Sequence, residues 1–276
     1  MKVITTILIL ITLLNRGLCQ PYIDLVNCRY TTSPDLISKS NNTTLNYGNV
    51  SLNLPLRFRN EDILVISPFA EKWTAEVEAQ EPKQSYYGLV LPLSYLKNFK
   101  RTNKSLVITS ILRMNDEKID ANGKLQIGGA ALMLVKKRAD LTWKFGLYVN
   151  GELFGLFIIP LAGIDWKINE RSNLFGVLPA SLTYERKFNK WIYSGFTFRT
   201  FTNSYAKDRG YWRIDENQLG AFTDLYLAKQ IVLNAEVGSS ILRKSRTGVE
   251  RKANENWNVN DNIYFKISLA YRMRFR

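Results

Sequence analysis

The last thirteen residues before Arg276 alternate between apolar side chains and side chains that are polar or small. The apolar positions are Ile263, Phe265, Ile267, Leu269, Tyr271, Met273 and Phe275. The positions between them are Tyr264, Lys266, Ser268, Ala270, Arg272 and Arg274. Successive side chains on a β-strand point to opposite faces, so this segment has one apolar face and one cationic face. The pattern is typical of the closing strand of an outer-membrane β-barrel, with lipid outside and a polar lumen inside.

The same alternation recurs upstream and predicts an all-β fold, an antiparallel transmembrane β-barrel of about twelve strands over residues 45–276. Strands of this length, separated by turns, suit a tilted crossing of a bilayer. Two of them follow the pattern less well, because Ile111, Leu132 and Leu134 make both faces apolar. The approximate spans are 45–58, 62–73, 86–97, 104–115, 124–137, 141–150, 156–168, 173–187, 190–203, 216–228, 230–243 and 262–275.

Aromatic residues collect near the predicted strand ends. They are Tyr86, Tyr87, Tyr95, Phe99, Phe188, Trp191, Tyr211 and Trp212. Rings with one apolar and one wet side suit the headgroup boundary of a membrane, although aromatics are enriched in strands of every kind. We expect these residues to form the aromatic girdles of the barrel.

The order of the strands predicts which connections lie outside the cell. If the first of twelve strands starts in the periplasm, the long connections 204–215 and 244–261 are extracellular. By the same count, 74–85 and 116–123 are periplasmic, although they are longer than the periplasmic turns that such barrels prefer.

The first nineteen residues have the composition of a secretory signal peptide. Lys2 precedes an apolar run over residues 3–14, and the small residues Gly17 and Cys19 predict cleavage before Gln20. The run is shorter than the about 20 residues that a membrane-spanning helix needs.

Alternatively, Cys19 carries a lipid or forms a bridge to Cys28 in an uncleaved chain. After cleavage, Cys28 is the single cysteine, which argues against a disulfide framework. Residues 20–44 lack periodicity and are predicted to be an irregular leader.

The chain is basic, with 38 Lys and Arg against 24 Asp and Glu. A basic excess often indicates nucleic acid, but export argues against that partner. We expect outer-membrane lipid and lipopolysaccharide, the barrel-assembly machinery and a possible small solute as partners. A merely solvated surface explains any single cation equally well.

Charged residues of both signs fall on the predicted lumen face. Opposite charges in a narrow interior are expected to pair, while an excess of cations also suits a selectivity ring for a small anion. Asp165, Glu185, Asp224 and Glu236 could instead serve as general acids and bases. The predicted lumen cluster comprises Arg57, Arg113, Lys144, Asp165, Lys167, Glu185, Arg199, Asp224, Glu236, Lys266, Arg272 and Arg274.

A second set of cations lies in the two long late connections, where lipopolysaccharide phosphates would meet them. Solvated loops are the plainer explanation. The residues are Lys207, Arg209, Arg213, Lys244, Arg246, Arg251 and Lys252.

The sequence contains no histidine, which excludes catalytic triads with a histidine base and histidine-ligated metals. No catalytic motif, metal site or cofactor is indicated. The leading hypothesis is therefore a structural barrel or a narrow small-solute channel with a charge-paired lumen. The alternatives are a histidine-free outer-membrane enzyme acting on lipid or glycan, and a soluble secreted β-barrel that carries an apolar ligand.

Four short motifs resemble an uncharacterised outer-membrane β-barrel family of Bacteroidota. They are Glu152-Leu153-Phe154-Gly155, Gly176-Val177-Leu178-Pro179, Asn203-Ser204-Tyr205 and Asp215-Glu216-Asn217-Gln218-Leu219-Gly220. The resemblance runs from about residue 86 to the end of the chain and implies location and fold, but no activity and no catalytic residues. Asn203-Ser204-Tyr205 and Asn217-Gln218 flank one outer loop, which makes the rim of that loop the expected binding position.

Overall fold

The computed structural model describes residues 20–34, 43–77, 84–118, 124–249, 252–257 and 261–275. The predicted signal peptide, residues 1–19, lies outside them. No helix among these residues is long and apolar enough to cross a membrane. The strands are β1 (Tyr22–Ser33), β2 (Thr43–Leu52), β3 (Leu54–Arg57), β4 (Ile63–Ile66), β5 (Phe69–Val77), β6 (Gln84–Asn98), β7 (Lys104–Asp116), β8 (Leu125–Arg138), β9 (Leu141–Glu152), β10 (Gly155–Asn169), β11 (Ser172–Leu178), β12 (Ser181–Lys187), β13 (Ile192–Ala206), β14 (Tyr211–Tyr226), β15 (Ile231–Val249), β16 (Lys252–Trp257) and β17 (Asn262–Arg274).

These strands form a closed antiparallel barrel with fourteen strands in its wall. β1 closes the barrel by pairing with β17, from Tyr22 opposite Arg274 to Thr32 opposite Phe265. β2 and β3 make one wall strand interrupted at Asn53, and β4 and β5 make another. β16 pairs with the end of β15 and lies outside the fourteen.

The barrel is apolar outside and polar inside. On β9, Phe145 is 54% exposed and Leu147 46%, whereas Lys144 and Asn150 on the opposite face are buried. Hydrocarbon around the wall favours this arrangement, because lipid-facing and lumen-facing residues alternate along each strand. The predicted fold class is confirmed. The alternative of a soluble carrier is wrong, since it requires the apolar faces to point inward.

The barrel has two more wall strands than the twelve predicted. The supposed irregular leader over 20–44 contains β1, whose alternation is interrupted by a bulge between Asp24 and Val26. The strand predicted over 173–187 is divided into β11 and β12 by a turn at Pro179, a residue that has no N–H to donate to a ladder. The bulge in β1 and the turn at Pro179 are local features, and the alternation of apolar and polar residues does not reveal them.

The additional strands also change the orientation of the early connections. No described connection at the end where Gln20 and Phe275 lie is longer than five residues, whereas the longest connections, such as 117–124, lie at the other end. Short turns identify the first end as periplasmic. The connections within 74–85 and 116–123 are therefore extracellular, and their predicted periplasmic position is wrong. The division of 173–187 adds a second extra strand, so the connections after it return to the end predicted from twelve strands. The connections 207–210 and 250–261 are therefore also extracellular.

Seven of the eight aromatic residues predicted for the girdles separate into two groups, and Tyr87 is half-buried. Tyr95, Phe99, Phe188 and Trp191 are exposed near periplasmic strand ends, where a girdle belongs. Tyr86, Tyr211 and Trp212, predicted to lie in a girdle, are buried instead. Their position shows that part of the lumen is filled with aromatic rings, as described below.

The periplasmic turn between β3 and β4 is fixed by Asp62, which predicts an acid-sensitive contribution to stability. Asp62 accepts hydrogen bonds from the Lys97 ammonium at 2.8 Å and the Tyr95 hydroxyl at 2.6 Å. The Lys97 bond first, and the Tyr95 bond second, lower the pKa of Asp62 to about 2. A lowered pKa gives stability that is present above the ordinary carboxyl range, near pH 4, and is lost as pH falls towards 2.

We expect Asp62→Asn to lower the melting temperature at pH 6 and to match the wild type at pH 2. Thermal unfolding in detergent micelles at pH 6, 4 and 2 measures this. Asp140→Asn, at an exposed turn pair with Arg138, serves as the control. An equal deficit of Asp62→Asn at pH 6 and pH 2 would show that charge on Asp62 is irrelevant.

Candidate functional site

The outer half of β13 leaves the wall and enters the lumen. Its last bond to the hairpin beside it joins the Thr200 N–H to the Ala180 carbonyl at 3.0 Å. Beyond this point residues 201–206 still pair with β14, but no other described wall strand pairs with them along their length. Instead, Ala206 forms a parallel bridge with Asp116 of β7. We call residues 201–206 the lumen segment.

A gap in the wall corresponds to this departure. β10 pairs with β11 only from Ala162 onward, so residues 155–161 pair with β9 on one side and with no described strand on the other. The gap lies above the short β11–β12 hairpin, in the extracellular half of the barrel. On the outer surface beside it, Leu156 is 70% exposed and Ile158 53%.

Side chains of the opposite wall anchor the lumen segment at Ser204, which is fully buried. Glu152 accepts bonds from the Ser204 N–H at 3.1 Å and from its hydroxyl at 2.5 Å. Asn115 and Gln126 donate to the Ser204 carbonyl at 3.1 and 3.0 Å. The segment is thus held by a main-chain ladder on its β14 edge and mainly by side-chain bonds on its other edge, where a wall strand would have a second ladder.

The neighbours of Ser204 carry buried charge. Arg113 pairs with Glu152 at 3.3 Å and donates to the Asn203 side chain at 2.7 Å. On the other side of the segment, Glu71 accepts from the hydroxyl of Tyr205 at 2.7 Å and from that of Tyr47 at 2.9 Å. These bonds join β13 to strands on both sides of the lumen.

Aromatic rings fill the remaining space in the outer half of the lumen. Tyr86 stacks on Trp212 with ring centroids 4.3 Å apart, and Tyr205 lies 5.4 Å from Trp212. Trp73 lies 6.4 Å from Trp212 and is 2% exposed. The extracellular half of the barrel is therefore occluded by protein.

The position expected to bind a ligand belongs to this occlusion. Asn203, Ser204 and Tyr205 are buried in the lumen segment, and Gln218 is buried on β14. They do not form the rim of an outer loop, so that prediction is wrong. Its cause is the inward path of β13, which places the motif in the interior.

Below the occlusion, ion pairs cross the middle of the lumen. Lys266 pairs with Glu236 at 2.5 Å, and Arg199 pairs with the same carboxylate. Arg272 bridges Asp24 at 2.6 Å and Asp224 at 2.5 Å. Four more predicted lumen residues form the pairs Lys144–Asp165, at 2.7 Å, and Arg274–Glu185. A cavity of about 270 Å³ lies among these groups and is lined by Arg199, Glu236, Lys266 and Arg272.

A larger cavity opens at the periplasmic end, with a volume of about 990 Å³. We call it the vestibule. Arg57 and Lys167, predicted as part of the lumen cluster, line the vestibule and pair with rim carboxylates, Glu61 at 3.7 Å and Glu170 at 2.8 Å. The structure therefore distributes the predicted cluster over three levels of the lumen.

Several charged lumen residues were missed by sequence reasoning, among them Asp24, Glu71, Glu152, Glu216 and Arg243. Alternation along β15 would place Arg243 outside. Leu242, however, has a φ of 52°, and this irregularity turns the Arg243 guanidinium inward to Glu216 at 2.8 Å. A bulge of this kind leaves little trace in a hydrophobic pattern.

The predicted basic loops are largely strand. Lys207 and Arg209 lie in the turn 207–210, while Lys244 and Arg246 lie on β15. Arg213, on β14, pairs with Asp215 at 2.9 Å and packs on the Phe154 ring at 4.0 Å. Arg251 lies outside the described residues, and Lys252 lies on β16, where side chains are not described.

Solved structures with a similar fold are outer-membrane channels and porins. The COG4313 outer membrane channel from Pseudomonas putida F1 is 9% identical, with a TM-score of 0.51 over 94% of this chain and 98% of that chain. A KdgM porin in complex with disordered oligogalacturonate is 10% identical, with a TM-score of 0.40 over 91% and 100%. The NanC porin is 7% identical, with a TM-score of 0.42 over 90% and 100%.

At this level of identity the likeness to the COG4313 channel shows the fold alone, which is that of an outer-membrane β-barrel. No curated protein matches the chain in sequence. One family model does match, over residues 85–276. The matched region includes the lumen segment, both strands beside the gap in the wall, and all four motifs noted in the sequence. The chain belongs to the family described as a domain of unknown function, DUF6268.

Proposed function

We propose that the protein is an outer-membrane channel for small solutes, held closed by the lumen segment of β13. The observation that carries the proposal is the way this segment is held. On one side it keeps its ladder with β14. Its described contacts with the opposite wall run mainly through side chains such as Glu152, Asn115 and Gln126, and a main-chain bridge forms only at Ala206. Breaking these contacts and the packing of Tyr205 on Tyr86 would release the segment from that wall.

The size of the wall also favours a channel over a purely structural barrel. About eight strands enclose a space that side chains alone can fill, whereas 16–18 leave a water-filled channel. This barrel has fourteen. Its lumen is filled at the extracellular end because a piece of the chain enters it, and it still holds a cavity of about 990 Å³ at the other end.

The gap in the wall gives the lumen segment a second place to lie. β10 and β13 run in opposite directions, and both have a free edge above the β11–β12 hairpin. Exposed main-chain groups are costly in hydrocarbon, so a strand edge there needs a partner. In the open state, residues 201–206 lie against residues 155–161 and complete the wall.

The free edge of β10 is suited to being unpaired part of the time. The Lys167 N–H donates to the Asp140 carbonyl at 2.8 Å. The main-chain N–H and C=O groups of odd-numbered residues in β10 therefore point towards β9, and those of even-numbered residues point towards the gap. Pro160 is one of the residues facing the gap, and it has no N–H to leave unsatisfied. The closed state thus exposes fewer donors than an ordinary edge would.

The proposed role is non-enzymatic. The four carboxylates considered as acids or bases are Asp165, Glu185, Asp224 and Glu236, and each has a Lys or Arg partner in the lumen. A histidine-free enzyme would need such a group near a substrate site. Ion pairing gives these residues a structural role instead.

The proposal includes export by residues 1–19, insertion by the barrel-assembly machinery, and an origin in Bacteroidota. A wall with exposed apolar residues all round supports membrane insertion. Lys207 and Arg209 at the extracellular end provide charges suited to lipopolysaccharide phosphates.

Planar bilayer recordings test the channel. We expect brief, infrequent openings for the wild type and a several-fold higher open probability for Ser204→Ala, which loses the hydroxyl bonds to Glu152 and from the Leu153 N–H. Ser194→Ala is the matched control, because its hydroxyl also donates a hydrogen bond, to the Phe222 carbonyl, but within the wall. If neither the wild type nor Ser204→Ala conducts, the protein is a structural barrel.

A further inference from the structure

The vestibule is strongly cationic. Eight Lys or Arg residues and three Asp or Glu residues line it. Five of the cations, Arg57, Lys136, Lys167, Lys187 and Arg274, come from β3, β8, β10, β12 and β17. These strands are distributed around the barrel, so the cations form a ring at the periplasmic mouth of the lumen.

Two members of this ring lack a carboxylate partner among the described residues. Arg57, Lys167 and Arg274 pair with Glu61, Glu170 and Glu185. For Lys136 and Lys187, by contrast, no described carboxylate lies within 4.0 Å, and the Lys187 ammonium lies 6.0 Å from the Tyr193 ring. Deeper in the lumen, opposite charges pair closely. The carboxylates of the vestibule therefore neutralise only part of its positive charge.

The walls of the vestibule increase the effect of these charges. Ile63, Leu134 and Phe275 also line it, and all three belong to an apolar cluster with Leu96 and Met273. A concave site with apolar walls and charges of one sign concentrates the electric field and raises the local concentration of counter-ions. A volume of about 990 Å³ is at the upper end of the range for sites that bind drug-sized ligands.

We infer that the vestibule binds multivalent oxyanions, small solutes that carry two or more phosphate or carboxylate groups. This inference rests on the proposed channel function, since it names the class of solute that the channel selects. Lys136 and Lys187 are the residues that contact the ligand without giving up an existing ion pair. The paired cations of the ring hold the vestibule open and add to its field.

Titration calorimetry on the detergent-solubilised protein tests binding directly. We expect inorganic tripolyphosphate or citrate to bind, neutral raffinose not to bind, and added salt to weaken binding by screening. Lys136→Gln/Lys187→Gln should weaken binding about tenfold or more, because two positive charges near the ligand that have no described carboxylate within 4.0 Å are removed. Lys190→Gln/Lys229→Gln is the matched control, since it removes the same charge from exposed turns at the same end. Equal affinity of both double variants, or no binding of either anion, overturns the inference.

Reversal potentials separate this inference from the channel proposal. Under a potassium chloride gradient, the Ser204→Ala channel should prefer anions, and adding Lys136→Gln/Lys187→Gln should reduce that preference. Conduction without anion preference and without binding overturns the inference and leaves the channel standing. Anion binding that depends on Lys136 and Lys187 in a protein that never conducts supports the site and rejects the channel.

Discussion

A disulfide between β13 and β7 will abolish conductance. Ala206 and Asp116 are Cα partners across the parallel bridge at the end of the lumen segment. Paired strand residues lie about 5 Å apart, within the range that a disulfide spans. In a Cys28→Ser background, Ala206→Cys/Asp116→Cys should be silent when oxidised and should conduct after reduction by dithiothreitol. Macroscopic current through many inserted barrels, recorded before and after reduction, measures the change.

The control for this experiment must cross-link the barrel without affecting the lumen segment. Ala235 and Ile267 are partners in the wall between β15 and β17, which remain neighbours in either state. Ala235→Cys/Ile267→Cys should conduct equally before and after reduction. Full conductance of the oxidised Ala206–Asp116 pair would mean that solutes cross without movement of β13.

The wall of the barrel could be predicted from the sequence because its cause is simple. Hydrocarbon on one side and polar lumen on the other impose a two-residue period, and residues such as Phe145 and Ile267 follow it. The same period also placed Lys144, Glu236 and Arg272 on the lumen face. Because opposite charges on that face project into one enclosed space, the formation of ion pairs in the lumen could also be predicted from the sequence.

The occlusion could not be predicted, because a strand inside the lumen is surrounded by protein on both faces. Residues 203–206 are all buried, so no alternation distinguishes an inner from an outer face. The gap beside β10 could not be predicted either. Leu156 and Ile158 face lipid and are apolar whether or not the main-chain edge of their strand is paired. In the sequence, Asn203-Ser204-Tyr205 is a motif next to a turn, a position that predicts a loop rim. Only the tertiary path of β13 shows that they fill the lumen.

At the seam where β1 meets β17, Arg272 forms an ion pair between the two strands, and replacing it should be strongly destabilising. Arg272 lies opposite Asp24 across the seam, bonds to Asp24 and Asp224, and packs on the Tyr22 ring at 3.7 Å. Breaking a buried ion pair by removing one partner costs about 3–5 kcal/mol, because the other charge is left without compensation. Asn27 and Asn234 also donate to these carboxylates. We therefore expect Arg272→Met to lower the free energy of unfolding by about 3 kcal/mol, the lower end of that range.

Urea unfolding of the barrel in lipid vesicles, followed by tryptophan fluorescence, measures this loss. Arg272→Met/Asp24→Asn/Asp224→Asn should recover most of it, since replacing all charges of a buried network by neutral groups is far less costly than removing one. Arg186→Met, on the exposed face of β12, controls for loss of an arginine at the same end of the barrel. If the triple variant is no more stable than Arg272→Met, the contribution of Arg272 is packing against Tyr22, and its charge contributes little. Recovery, by contrast, would show that the lumen charges are held in place by one another, so that the closing strand is fixed by electrostatic pairing as well as by its hydrogen-bond ladder.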